Sequence, residues 1–203
     1  MKRIVLMALL AMALPLAAFA DNSVDFTNSG GMLSGSSAGL TLGTSELIAV
    51  NGFGSKGLMT GNLGTMTFST GAMTSGSLQM GAVFGGGGTF NITTNGSNGL
   101  PNGALFTGSF TGPVTWTLIT LANGTHDYTL QGSVSGTWYN GSIASGATIQ
   151  LTINTGLKFF NGTKRISSGD SNIVTTVPEP GTLGLLGTGL IGLAGALRRK
   201  LKV

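Results

Sequence analysis

His126 is the single histidine of the chain, so any acid–base catalyst of the Ser-His-Asp kind would have to use it. Its neighbour Asp127 cannot complete such a triad, because adjacent residues on a strand point to opposite faces. A distant Asp25, Glu46 or Asp170 could approach the imidazole, but the sequence contains no Gly-x-Ser-x-Gly elbow to present a nucleophile. We therefore predict no catalytic residue and interpret His126 as a structural residue at the edge of a hairpin.

The other residue types that support catalysis or metal binding are equally sparse. A glycosidase needs two facing carboxylates, and none of these acidic residues lies in a marked apolar strand setting: Asp21, Asp25, Glu46, Asp127 and Asp170. With no cysteine and one histidine, the chain lacks the ligands of an ordinary zinc site, and it also lacks the EF-hand spacing. We predict no metal and no cofactor, although one calcium ion held by backbone carbonyls and a single aspartate stays open.

The composition separates this chain from soluble enzymes and from nucleic-acid-binding proteins. It has 36 glycines in 203 residues, and only 8% of its residues are charged. A typical soluble domain has about 7% glycine and is about a quarter charged. Most of the basic residues lie at the two ends: Lys2, Arg3, Arg198, Arg199, Lys200 and Lys202. The stretch of chain between the two basic ends has more acidic than basic residues. It therefore offers no phosphate-binding surface, and we predict no nucleic-acid partner.

A pair of adjacent aromatic residues, Trp138 and Tyr139, is the best candidate for a ligand-binding patch. Aromatic faces can stack on sugar rings, and this pair directly precedes an Asn-Gly turn at Asn140. Since neighbours on a strand alternate, at least one of the two rings must face outward unless the strand is buried on both sides. We predict that Trp138 and Tyr139 are the contacts of any glycan-binding surface on this chain.

Five Asn-x-Ser/Thr sequons are candidate glycosylation sites, at Asn91, Asn95, Asn123, Asn140 and Asn161. Four of them overlap Asn-Gly dipeptides, which a strand-rich protein uses at its turns in any case. Turn geometry is the favoured explanation, and glycosylation of an exported surface is the alternative.

Alternation of apolar and polar residues with a period of two runs through residues 21–176 and predicts strands. The clearest stretches are residues 78–84, 104–110, 114–118, 128–134 and 149–153, and shorter candidates are 46–50, 66–69, 89–93, 157–160 and 173–177. We predict an all-β domain, an antiparallel β-sandwich or jelly-roll-like fold, that is best ordered after residue 100. Residues 28–100 would then form a looser sheet packed against the first.

Seven Asn-Gly dipeptides mark turns, at residues 51, 95, 98, 102, 123, 140 and 161. Asn-Gly suits the type I′ hairpin turn, in which both central residues need a positive φ. The clearest hairpin runs from Val114 to Leu121, turns at Asn123-Gly124 and returns through His126.

The first twenty residues have the order of a secretory signal peptide. Lys2 and Arg3 precede an apolar stretch at residues 4–14, which is too short to cross a bilayer. Ala18 and Ala20 supply the small residues before a signal-peptidase cut, and the exported chain then begins at residue 21. An uncleaved membrane anchor is the alternative.

The C-terminal segment, residues 177–203, has the reverse order. An extended, proline-fixed motif comes first, then the uncharged residues 181–197, then a basic stop at 198–202. The uncharged stretch would make roughly 26 Å of helix, which is just enough for a transmembrane helix. Basic residues are retained on the cytoplasmic side, so residues 21–176 are expected outside.

These three parts resemble the PEP-CTERM sorting signal of Gram-negative bacteria. The resemblance rests on Val177, Pro178, Glu179 and Pro180, on the uncharged span, and on Arg198, Arg199 and Lys200. It implies that an exosortase, an integral-membrane cysteine transpeptidase-like enzyme, recognises and processes the tail, so that the membrane anchor is transient. It also implies delivery to the cell surface or an exopolysaccharide matrix, and it says nothing about residues 21–176. A plain tail anchor is the alternative.

The sequence therefore predicts three segments: a signal peptide (1–20), an exported Gly/Ser/Thr-rich β domain (21–176) and a sorting signal (177–203). The predicted function is that of a non-enzymatic protein of the cell surface or extracellular matrix, associated with exopolysaccharide or biofilm. The alternative is a β-sandwich carbohydrate-binding module that uses exposed aromatic residues.

Overall fold

The computed structural model describes residues 22–175, which form thirteen β-strands connected by short turns. The strands are β1 (Asn22–Ser29), β2 (Met32–Ser36), β3 (Gly39–Asn51), β4 (Met59–Ser69), β5 (Met73–Ser77), β6 (Gly81–Phe84), β7 (Gly87–Asn95), β8 (Asn102–Phe110), β9 (Val114–Thr120), β10 (His126–Trp138), β11 (Ile143–Gly156), β12 (Thr163–Arg165) and β13 (Ser168–Thr175). The prediction of an all-β domain is confirmed for this part of the chain.

The predicted signal peptide (1–20) and sorting segment (177–203) lie outside the described residues. Within residues 22–175, no helix is long and apolar enough to cross a membrane. The last described strand, β13, ends at Thr175, so residues 170–175 belong to a strand.

Eight strands close into a ring, and all strand pairings are antiparallel. The order around the ring is β11-β13-β1-β3-β4-β7-β8-β10, and β10 pairs with β11 to complete it. Two arms extend from this ring: β9, β6 and β5 continue from β10, and β2 and β12 continue from β3. Each ring strand therefore has a hydrogen-bonded neighbour on both sides, which satisfies its backbone groups.

The expectation of a separate, looser sheet at residues 28–100 is wrong, because β3, β4 and β7 of that half are ring strands. The sequence pattern cannot distinguish the two cases, since short apolar runs look alike in a loose sheet and in a closed one. The finer assignment to a sandwich or jelly roll stays a prediction. In both of these folds two sheets pack face to face, whereas here all thirteen strands are hydrogen-bonded into one sheet.

Alternate residues of each ring strand fill the interior. The predicted inward faces are confirmed on three of the five clearest runs, one on the arm strand β9 and two on the ring strands β10 and β11: Val114 and Trp116; Tyr128, Leu130 and Val134; Ile149, Leu151 and Ile153. Trp116 stacks on Tyr128 with ring centroids 4.9 Å apart. The Tyr128 hydroxyl donates to the Gln79 carbonyl (2.6 Å) and accepts from the Phe160 amide (3.1 Å). These bonds anchor the aromatic core to two loops.

Three of the predicted strands differ in detail. Strand β6 begins only at Gly81, so Met80 lies in a turn and is exposed. A bulge in β8, opposite β7, lets the consecutive residues Leu105 and Phe106 both turn inward, which leaves Ala104 exposed. The predicted strand at 157–160 is a loop, and it inserts Phe160 into the core beside Trp116.

Two glycines on β10 leave space for two phenyl rings of β8. A Cβ placed on Gly136 would lie 2.8 Å from the Phe106 ring and would also clash with the Thr107 carbonyl. A Cβ on Gly132 would lie 2.8 Å from the Phe110 ring. The phenyl rings of Phe106 and Phe110 on β8 therefore pack directly on the backbone of the neighbouring strand β10.

The hairpin from β9 to β10 is confirmed, but its turn is not type I′. Only Asn98 has a positive φ among the non-glycine residues described, so the Asn-Gly at 98 alone has both residues in the left-handed region. At Asn123 and Asn140 only the following glycine has a positive φ, and its amide bonds back three residues. This is a type I turn followed by a left-handed glycine, the usual three-residue hairpin loop.

The two ends of the ring carry different loops. Asn22 pairs with Thr175, and this end also holds the loops 52–58, 96–101 and 139–142; we call it the proximal pole. The opposite end holds the 121–125 turn and residues 156–160; we call it the distal pole. Strand β10 runs from the distal to the proximal pole.

We expect Gly136→Ala to destabilise the domain by at least about 2 kcal/mol, because the added methyl group must displace Phe106 and backbone of β8. Gly112→Ala is the matched control: a Cβ there meets nothing within 4 Å, so its effect should stay within about 0.5 kcal/mol. Urea unfolding followed by tryptophan fluorescence measures both. Equal stability of the two variants would contradict the proposed packing.

Candidate functional site

His126 occupies the first position of β10, at the distal pole, where its ring is buried. The ring stacks on Phe159 at 4.3 Å between centroids, and 3.2 Å separates its Nδ1 from the Thr120 hydroxyl. Asp127 lies on the other face of the strand, where its carboxylate accepts a 2.6 Å hydrogen bond from Asn154. The interpretation of His126 as a structural residue at a hairpin edge agrees with these contacts.

The other carboxylates of the described residues lie on the outer surface, where Asp25 and Asp170 line the same depression. Asp25 accepts a hydrogen bond from Asn172 on β13. This pair lies close to the proximal pole, whereas His126 lies at the distal pole, the opposite end of the ring. Glu46 lies on β3 and Asp170 on β13. Among residues 22–175, no three side chains of His, Asp or Glu come together as metal ligands would. The structure thus brings none of Asp25, Glu46 and Asp170 to the imidazole, and Asp21 lies outside the described residues.

The aromatic pair predicted to contact glycans divides between core and surface. Trp138 is only 6% exposed and packs against Phe26 (6.1 Å) and Phe106 (5.5 Å), so it offers no free face. Tyr139 follows it in the turn and is 55% exposed, with the Phe53 ring 6.0 Å away. The glycan assignment is therefore wrong for Trp138, because the even positions of β10 all face the core. The rule that one ring of the pair faces outward holds.

Three of the sequon asparagines are built into turns. The side-chain oxygens of Asn95, Asn123 and Asn140 each accept a hydrogen bond of 3.0 Å from the amide two residues later. At Asn123 and Asn140 the same oxygen also accepts from the following Thr or Ser hydroxyl. Asn91 lies within β7, and Asn161 is exposed in the loop before β12. The turn explanation accounts for Asn95, Asn123 and Asn140, and glycosylation stays an untested alternative.

Two shallow depressions lie on the outer surface. The larger, of about 430 Å³, has a glycine floor and polar walls: Glu46, Asn62, Thr65, Asn95 and Arg165. The smaller, of about 230 Å³, lies on the β1-β13-β11 face between Asp25, Gln150 and Asp170. Both could offer hydrogen bonds to hydroxyl groups, but neither is lined by an exposed aromatic side chain.

Sequence reasoning missed the role of the loop at 52–58. The Lys56 ammonium group donates to the carbonyls of Asn98 (2.9 Å) and Gly99 (3.0 Å), which ties this loop to the 96–101 loop. Phe53 of the same loop packs beside Trp138 and Tyr139. The one signal in the sequence is that Lys56 is an isolated cation in a long, nearly uncharged stretch.

The residues that follow β13 match a known protein-sorting motif. Residues 176–200 match the family model of the PEP-CTERM protein-sorting motif. The chain therefore ends in a PEP-CTERM sorting signal. This match includes Pro178, Glu179 and Pro180 and the basic residues 198–200, so the resemblance stated from sequence is confirmed. No curated protein and no solved structure matches the chain.

The PEP-CTERM signal implies export and a membrane-associated sorting intermediate. It also implies processing by an exosortase. The signal begins one residue after β13 ends, so the folded domain and the processing motif are almost contiguous.

We expect Asn140→Ala to lower the free energy of unfolding by about 1 kcal/mol, because the turn loses both hydrogen bonds to the asparagine oxygen. Ser142→Ala is the control, since it keeps the amide bond and removes only the hydroxyl, and it should cost clearly less. Thermal unfolding of both variants measures the difference. If Ser142→Ala costs as much as Asn140→Ala, the asparagine is not the organising residue of the turn.

Proposed function

We propose that the protein is a non-enzymatic passenger that is sorted to the cell surface or extracellular matrix, where its β domain associates with exopolysaccharide. The single observation that carries the proposal is the PEP-CTERM signal at residues 176–200. The anchored form is a temporary stage, and exosortase processing releases the domain to its destination.

The surface of the β domain supports association with a polysaccharide. Its outward strand positions are mainly Thr, Ser, Asn and Gln, whose hydroxyl and amide groups can exchange hydrogen bonds with sugar hydroxyls. Only eight Asp, Glu, Lys and Arg residues fall between residues 22 and 175: Asp25, Glu46, Lys56, Asp127, Lys158, Lys164, Arg165 and Asp170. Self-repulsion between neighbouring copies is therefore small, which favours many weak contacts.

The proposal assigns no catalytic role to the domain. The His126 ring stacks on Phe159, and its Nδ1 contacts the Thr120 hydroxyl. The carboxylates of Asp25 and Asp127 each accept a hydrogen bond from an asparagine side chain. A turnover that is lost in His126→Ala would overturn this part of the proposal.

A specific carbohydrate-binding module is the second candidate, and the exposed ring of Tyr139 is the observation that favours it. With Trp138 in the core, such a module would depend on Tyr139 and its neighbour Phe53. A single exposed tyrosine gives a small stacking surface, so the first candidate is preferred.

For the sorting claim, we expect Glu179→Ala to lower the processed fraction of the protein several-fold in its native host. Glu179 is an isolated carboxylate between two prolines, so it is available to a basic group of the processing enzyme. Immunoblots of the membrane and extracellular fractions measure the ratio of unprocessed to processed chain. The matched control is Glu46→Ala, which removes a carboxylate from the exposed face of β3 and should leave processing unchanged. Unchanged processing in Glu179→Ala would remove this residue from the recognition motif.

For the polysaccharide claim, we expect Tyr139→Ala to leave binding to the host exopolysaccharide within about twofold of the parent, because the weak contacts are spread over the sheet. Phe159→Ala is the control for an exposed aromatic residue at the distal pole. Glycan-array and co-sedimentation measurements give the affinity of each full-length variant. Saturable binding to one sugar class that falls about tenfold or more in Tyr139→Ala alone would favour the module instead.

A further inference from the structure

Both ends of the described domain leave from the proximal pole. Strands β1 and β13 pair along their whole length, so Asn22 and Thr175 are direct partners. The residues that continue toward the signal peptide and toward the sorting tail therefore start side by side. Whichever end is held at the membrane, the proximal pole is the part of the domain that lies nearest to the attachment.

The connection between β13 and the apolar part of the tail is short. Five residues, 176–180, separate Thr175 from the uncharged span that begins at Gly181. Fully extended, five residues reach about 17 Å, which is comparable with the thickness of the polar headgroup layer and the water next to it. While the tail is anchored, the proximal pole cannot move far from the bilayer surface.

The proximal pole presents large apolar side chains to solvent. Leu58 is 68% exposed, Tyr139 is 55% exposed and Ile143 is 69% exposed, and the half-buried ring of Phe53 lies beside Tyr139. These residues come from loops 52–58 and 139–142 and from the start of β11. Exposure of these apolar side chains to water is unfavourable in free energy, and a contact that covers them with apolar material removes this penalty.

The loops at this pole carry one cation and no acid, and the nearest carboxylate is the exposed Asp25 of β1, which accepts a hydrogen bond from Asn172. Lys56 holds its ammonium group at the exposed junction of loops 52–58 and 96–101. None of the three loops at 52–58, 96–101 and 139–142 contains an acidic residue. Tyrosine and lysine beside aliphatic residues are the side chains that membrane interfaces select.

We propose that the proximal pole docks on the lipid bilayer while the protein is anchored by its sorting tail. Leu58, Tyr139 and Ile143 enter the boundary between headgroups and acyl chains, and Lys56 pairs with anionic phosphates. This inference rests on the proposed sorting function, and it adds an orientation: the domain stands on its proximal pole and holds the processing motif at the membrane surface.

The distal pole also exposes apolar residues, including Leu157 (74% exposed) and Phe159. Strand β10 has 13 residues, or about 40 Å at about 3.3 Å per residue, and since the strands of a closed ring tilt by roughly 40°, the two poles are about 30 Å apart. This separation exceeds the reach of the 176–180 connection. The distal residues therefore face away from the bilayer in the anchored form, and they supply an internal control.

The test uses the absence of cysteine from the chain, which permits single spin labels. Leu58→Cys and Leu157→Cys place labels at the proximal and distal poles on similarly exposed leucines. Each full-length protein is reconstituted into vesicles of phosphatidylethanolamine and phosphatidylglycerol, and flotation establishes that it is membrane-bound. We expect the label at 58 to collide more with oxygen than with a water-soluble nickel chelate, and the label at 157 to show the reverse.

A second variant tests whether the apolar contact itself carries the docking. With the label moved to Ile143→Cys, the added substitution Leu58→Asp should lower the oxygen-to-nickel collision ratio at least twofold while flotation is retained. Leu58 is exposed in a loop, so this change leaves the core intact.

Each outcome decides between the two claims. If the protein floats with the vesicles but both labels are in water, the docking inference is overturned, and the proposed sorting function is unaffected. A label at 157 in lipid with the label at 58 in water also overturns it. Protein that does not float shows that the tail is no anchor, and then the sorting proposal and the docking inference fail together.

Discussion

The pairing of β10 is the constraint on which the rest of the fold depends. This strand keeps β11 along one whole edge while it exchanges β9 for β8 along the other. At the exchange, Gly132 and Gly136 contribute no side chains, and the rings of Phe110 and Phe106 pack on the bare backbone. The phenylalanines supply the apolar area that glycine cannot, which explains how a chain with 36 glycines and ten phenylalanines still buries a core.

Ring closure also ties the fold to the sorting signal. Strand β13 lies between β1 and β11, so the domain is complete only when its last residues have joined the ladder. The sorting signal starts immediately afterwards, with prolines that disfavour a continuing helix. The folded domain thus ends in a paired strand and the sorting signal follows directly in sequence, so little chain separates the domain from the motif that a processing enzyme must reach.

Much of this could be predicted from local sequence pattern, and the failures have identifiable physical causes. The inward faces of β9, β10 and β11 follow from alternation because the period of two is unbroken over residues 114–116, 128–134 and 149–153. Trp138 was misjudged as a surface contact because its burial depends on Phe26 and Phe106, which are distant in sequence. The Asn-Gly turns were found, but their type depends on whether asparagine itself takes a positive φ, which the dipeptide alone does not specify. Closure of the ring, and the meeting of three loops at the proximal pole, are consequences of long-range pairing that no local pattern contains.

The most direct test of the account is the intact mass of the mature wild-type protein recovered from the surface and extracellular fractions of its native host. The account predicts a chain that has lost residues 1–20 and the apolar and basic part of the sorting signal, while it retains the β domain through Thr175. A full-length chain from Met1 to Val203 recovered from a cytosolic fraction would contradict it.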